Sequence, residues 1–118
     1  RIEGVVRLVK LVADDCDIHL EMAATGAATA PRIIAEIPVT ETEARRQLAA
    51  IVGSIRTTAR RFEGRAAMPI RITCWRFLDL SHQAKAPSKR GVGHGSARVG
   101  TLWEGHPCFN VERKEDDQ

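Results

Sequence analysis

The stretch Pro31-Arg32-Ile33-Ile34-Ala35-Glu36-Ile37-Pro38 runs into Val39-Thr40-Glu41-Thr42-Glu43-Ala44, and across it the apolar period changes from that of a strand to that of a helix. The β-branched first part reads as a strand closed by Pro38, which has no amide proton to give to a ladder. Beyond it, Ala44, Leu48, Ile51, Val52, Ile55, Ala59 and Phe62 recur at three- and four-residue steps. That spacing predicts one amphipathic helix reaching Phe62, with Arg45, Arg46, Arg56, Arg60 and Arg61 on its solvated face. Thr40 with Glu43 three residues later has the form of a capping box, and Gly64 supplies a stop.

Upstream of this switch, Asp17 to Ala23 alternates, with Ile18, Leu20 and Met22 on one face and Asp17, His19 and Glu21 on the other. This is a strand with one wet face. Before it, Glu3 to Ala13 is rich in Val and Leu and forms a longer strand. Its two interior charges, Arg7 and Lys10, have opposite parity, so a β-bulge near Leu8–Val9 is expected to keep Val6, Leu8, Val9 and Leu11 pointing inward. Downstream, Ile70 to Leu80 mixes β-branched and aromatic residues as a fourth strand, and Cys108 to Glu112 is a short fifth. Between them lies a long Gly-, Ser-, Lys- and Arg-rich segment, Ser81 to Trp103, of a kind that usually binds something or moves.

Three strands, one helix and two strands define a mainly β chain with the element order of the OB-fold, a five-stranded Greek-key barrel with its helix between strands three and four. An open antiparallel sheet packed on the same helix shares the pattern. The length of 118 residues suits one domain, here residues 1–112, followed by an acidic tail over 113–118 that reads as disordered. At 43% apolar and 28% charged the composition is that of a globular protein. No apolar run is long enough to span a bilayer as a helix, and residues 1–20 lack the pattern of a secretory leader; because the chain opens on Arg1, localisation is not read from this. The net charge of +3 rises to +4 over residues 1–112, sixteen bases against twelve acids, which tolerates an anionic partner without demanding one. Cys16, Cys74 and Cys108 are too few and too widely spaced for a disulfide scaffold or a structural zinc site. Cys74 and Cys108, on neighbouring strands, either pair or remain buried thiols; inert thiols are the expectation.

The stretch Asp14-Asp15-Cys16-Asp17-Ile18-His19-Leu20, then Ile34-Ala35-Glu36-Ile37-Pro38, Arg71-Ile72-Thr73 through Phe77-Leu78-Asp79 to His82, and Glu104-Gly105-His106-Pro107 resembles a family of small bacterial proteins. The resemblance spans about residues 5–112 and implies an OB-like barrel loosely similar to that of staphylococcal-type nucleases; it brings no activity with it. Cys16 stands where the family pattern has Gly, Cys74 and Trp75 replace its Gly-Val region, and His82-Gln83-Ala84 lacks the Gly of its His-Gly-Gln. The nuclease arginine and carboxylate set does not align onto this chain.

Three constellations are candidate sites. Asp79, His82, Glu104 and His106 flank the long loop, whose ends a hairpin of strands four and five brings together. Two imidazoles and a carboxylate suit a zinc-like divalent ion with an open position for water, His82 and His106 being the ligands. The plainer reading is that Asp79 orients a histidine and anchors the loop. Asp17, His19 and Glu21 share one strand face at about 7 Å steps, within reach of one polar ligand. Lys85, Lys89, Arg90, His94 and Arg98, interleaved with glycines, suit an anion such as nucleic-acid phosphate. Stacking partners are scarce: of five aromatic residues only Trp75, Phe77 and Trp103 are free for it. The sequence thus points to an OB-like module binding a polar or anionic ligand, nucleic acid or oligosaccharide, with no catalytic residues assigned. The alternatives are a metal-assisted hydrolase or nuclease and a protein-interaction domain.

Overall fold

The computed structural model describes residues 1–78 and 99–114, leaving aside the side chains of residues 99, 100 and 102. Its strands are β1 (Ile2–Leu11), β2 (Ile18–Ala23), β3 (Arg32–Ile37), the two-residue β4 (Arg60–Arg61), β5 (Pro69–Leu78) and β6 (Val99–Arg113). The α-helix among the described residues, α1 (Thr42–Val52), lies between β3 and β4. β1 pairs antiparallel with β2, β2 with β3, β5 with β6 and β1 with β5, while β3 runs parallel to β6. These five pairings close a barrel, as the element order predicts, and β4 is appended beside the C-terminal half of β1. No described helix is long and apolar enough to cross a membrane.

β1 serves three neighbours because it is bulged. Its register against β2 shifts between Val6 and Leu8, so Val6, Leu8 and Val9 are all buried. The bulge expected at Leu8–Val9 therefore sits one residue earlier, at Arg7. That side chain is itself buried and donates from Nε to the Phe62 carbonyl (2.8 Å) and from Nη1 to the carbonyls of Ala27 (2.7 Å) and Thr25 (3.3 Å). A guanidinium has five donors and no acceptor, so backbone carbonyls serve as its partners. Arg7 thus ties the β2–β3 connection and the segment after β4 to the first strand.

The helix is shorter than its apolar spacing implies. It ends at Val52, and Gly53 takes a left-handed conformation (φ 84°) with its N–H donating to the Ala49 carbonyl. Ile55 and Phe62 still pack on the core, but from a non-helical segment around β4 whose spacing happens to continue the helical period. Arg60, expected on a helix face, instead donates from Nη1 to the carbonyls of Val52 (2.5 Å) and Ser54 (3.2 Å), placing a cation at the negative helix end. Thr40 does not cap the start: the first residues are turned by backbone bonds from the Glu41 N–H to the Pro38 carbonyl and from the Arg45 N–H to the Glu41 carbonyl. Gly64 opens a 3-10 turn (Gly64–Ala66) rather than ending the helix. Ala44, Leu48 and Val52 are the buried face of α1, and Gln47 fastens it to β6 by donating to the Asn110 side chain and accepting from the Val111 N–H.

β6 is three times the length expected of the last strand, and Lys114 beyond it donates its N–H to the Pro69 carbonyl. Residues 115–118 of the predicted tail lie outside the described residues. Cys74 and Cys108 face each other in the β5–β6 ladder with Cα atoms 4.0 Å apart and form a disulfide, which corrects the expectation of two inert thiols. The reason is register: a bulged antiparallel pair sets them directly opposite, and sequence spacing alone does not reveal that.

Candidate binding face

The β2–β3 hairpin builds the site. Its register sets His19 opposite Glu36, Glu21 opposite Ile34 and Ala23 opposite Arg32 on the outer side of the barrel, while Ile18, Leu20 and Met22 meet Ile37, Ala35 and Ile33 on the inner side. His19 Nε2 is 3.2 Å from Glu21 Oε2, and its Nδ1 is 3.8 Å from Glu36 Oε1. The second oxygen of Glu21, Oε1, accepts from Arg32 Nη1 at 3.1 Å. An ion chain Glu36–His19–Glu21–Arg32 therefore crosses two strands. It is not the wet face expected from alternation, since Glu21 and Arg32 are buried and His19 and Glu36 are only partly exposed.

Electrostatics follow from that burial. Desolvation is the largest single influence on His19 and disfavours its charged form, but hydrogen bonds and charge from Glu21 and Glu36 overcome it and push the imidazole up to about 9. Glu21 is likewise penalised by burial, and its bonds to His19 and Arg32 nevertheless hold it below the ordinary carboxylate value. Both are charged at neutral pH. Asp17 lies the other way: burial first, then the charges of Asp15 and Glu36, raise it against the opposing pull of His106 and Arg45.

β6 completes the wall. It runs parallel to β3 with Glu104 beside Ile34 and Gly105 beside Ala35, so His106 follows next to Glu36 and within electrostatic reach of Asp17. Close approach is possible because Gly105 has no side chain; a Cβ there would stand 2.7 Å from Cys74 Sγ. The His106 ring lies 5.6 Å from that of Phe77, its neighbour on β5. Phe77 and Trp75 are on the same side of β5 by alternation and are 47% and 69% exposed, an uncovered aromatic margin to a charged wall.

Of the residues expected at a site, Asp17, His19, Glu104 and His106 come together on this outer wall, although Glu104 is buried. Trp103 does not join them. It pairs with Leu78 and alternates to the opposite side of β6 from Glu104, where the Arg76 guanidinium lies 5.9 Å from its ring. Asp79, His82, Lys89, Arg90 and Arg98 lie outside the described residues, as do Lys85 and His94. Among the described residues no group of three or more His, Cys, Asp or Glu side chains is placed to hold a metal ion.

Sequence reasoning missed Glu36 and Arg32 as members of the wall. Both lie at alternating positions of β3, but which of them meets His19 or Glu21 depends on the register across the eight-residue connection, which the sequence does not fix. No protein-family model, curated protein or solved structure matches the chain.

Proposed function

We propose that the protein is a binding module whose outer β2–β3–β6 wall takes a neutral, hydroxyl-rich ligand such as an oligosaccharide. The observation that carries this reading is the strip Asp17–His19–Glu36–His106 bordered by exposed Phe77 and Trp75. Carboxylates accept hydrogen bonds from sugar hydroxyls, an imidazole such as that of His106 can donate or accept one, and an exposed ring packs on the apolar C–H face of a pyranose. Acids outnumber fixed cations along the accessible part of the strip, which disfavours a polyphosphate chain there. The family resemblance belongs to the same proposal and draws support from Cys16, whose positive φ of 61° suits the glycine the family pattern has at that place.

The test is titration with short neutral glucans and, separately, with a single-stranded oligonucleotide, followed by calorimetry and Trp fluorescence. Saturable glucan binding that falls about tenfold in Glu36→Gln and in Trp75→Ala is expected. Oligonucleotide binding that weakens steeply with salt, with no response to glucans, overturns the reading in favour of nucleic acid.

A further inference from the structure

Beyond the C-terminal end of α1, Ser54, Arg56, Thr58 and Arg60 line a solvent-open cavity of about 480 Å³. All four are exposed, so their side chains are open to a ligand. The stretch from Gly53 to Arg65 that carries them holds four arginines, Arg56, Arg60, Arg61 and Arg65, against one acid, Glu63. Among the described residues no carboxylate lines the cavity.

Arg60 is held in place by the chain itself. Its Nη1 donates to the carbonyls of Val52 and Ser54, and its guanidinium lies 5.2 Å from the centre of the Phe62 ring. A Cβ on Gly53 would stand 3.3 Å from the same Nη1, so the glycine leaves it room. Both bonds use one nitrogen, and Nε and Nη2 have no acceptor among the described residues. The helix end offsets about half a unit of the Arg60 charge. Arg56 adds a whole one. Its side chain has no acceptor among the described residues, while its own carbonyl, which would repel an anion, is taken by the Leu11 N–H at 2.8 Å.

We infer that this cavity binds the phosphate group of a small phosphomonoester, with Arg56 and Arg60 as the cations and the Ser54 and Thr58 hydroxyls as further donors. Guanidinium groups meet phosphate oxygens in pairs, and a dianionic phosphate matches two of them. The volume exceeds what a phosphate fills, which leaves space for the organic group it is attached to. A polynucleotide fits less well, because strand alternation turns Arg61 to the other side of β4 from Arg60 and the cations form no continuous row. The site goes beyond the oligosaccharide reading and shares no residue with it.

The experiment is an NMR titration of the whole chain with glycerol 3-phosphate at physiological ionic strength, with glycerol as the uncharged control. Saturable shifts confined to the amides of residues 53–60, and none with glycerol, are expected. Arg56→Gln should weaken binding about tenfold, whereas Arg61→Gln, which removes the same charge outside the cavity, should leave it within about twofold. Both positions are exposed, so both variants keep the fold. Absence of binding, an affinity that Arg56→Gln leaves intact, equal weakening in the two variants, or shifts at His19, Glu36 and His106 instead overturns the inference, whatever the glucan titration shows.

Discussion

Two arginines are buried among the described residues of this small barrel, and they are buried for different reasons. Arg7 sits at the β1 bulge and donates to carbonyls of Phe62, Ala27 and Thr25, joining segments distant in sequence. Arg32 starts β3 in a ladder, bonds one carboxylate that is shared with His19, and leaves one edge of its guanidinium unpartnered among the described residues. The first replaces a missing stretch of ladder with side-chain bonds and so holds the fold. The second belongs to a charged wall. Burial of a charge is therefore not one signal but two, separated here by the carbonyls that Arg7 bonds and the shared carboxylate that Arg32 bonds.

The sharpest break in the comparison is predicted for Arg7→Met, which strips three carbonyls of their donor and leaves a bulge without its anchor. A loss of about 4 kcal/mol in urea unfolding is expected, with no single compensating change. A loss below about 1 kcal/mol would place Arg7 among ordinary surface cations.

Arg32→Met should cost less, about 2 kcal/mol, since Glu21 keeps its bond to His19. Adding Glu21→Leu should recover most of it, because removing both members of a buried pair avoids an uncompensated charge. If the double variant is less stable than either single one, the Glu21–Arg32 pair is a structural anchor like Arg7.

pH separates the two regions further. His19 is raised to about 9 in the folded chain, above its ordinary 6.5, so its contribution is complete below 6.5 and is lost as pH climbs through about 9. Glu21 is depressed, so its share is present above the ordinary carboxylate value near 4.5 and disappears as acid protonates it at lower pH. On the alkaline side a loss on the order of 1 kcal/mol is expected between pH 6.5 and 10, discounted for partial exposure, and it should be missing in His19→Gln. Equal alkaline loss in both proteins would assign it to groups outside the wall.

The smallest effect is expected away from both arginines. Cys16 holds a left-handed φ of 61° in the β1–β2 turn, where a side chain strains the backbone and glycine does not. Cys16→Gly should stabilise by about 1 kcal/mol, partly offset by the greater freedom of glycine in the unfolded chain. Thermal unfolding under identical buffer checks the sign.

Element order was legible because the change from a two-residue to a three- to four-residue period between Ile37 and Ala44 separates strand from helix, while the choice between barrel and open sheet rested on the pairings. The β1 bulge was legible for a similar reason, as Arg7 and Lys10 have opposite parity within one apolar run. Helix length was not: Ile55, Ala59 and Phe62 continue the spacing while Gly53 ends the helix, and Gly53-Ser54 is a stronger stop than the period is a continuation. Asp17 and His19 were read together with Glu21 on one strand face, and His106 with Asp79, His82 and Glu104 at the ends of the long loop, as two separate groups. Their assembly depends on register, which sets His19 against Glu36 and, through the parallel β3–β6 pairing, brings His106 alongside. The disulfide was hidden for the same reason. Register is a property of closure and not of any single stretch of chain.

The charged wall stands on His19 lying between two carboxylates, and its ring can be observed directly. An NMR titration of the imidazole carbons of His19 should show protonation persisting to about pH 9. A midpoint at the ordinary value of 6.5 or below would mean that Glu21 and Glu36 do not flank it, and the wall as described would not exist.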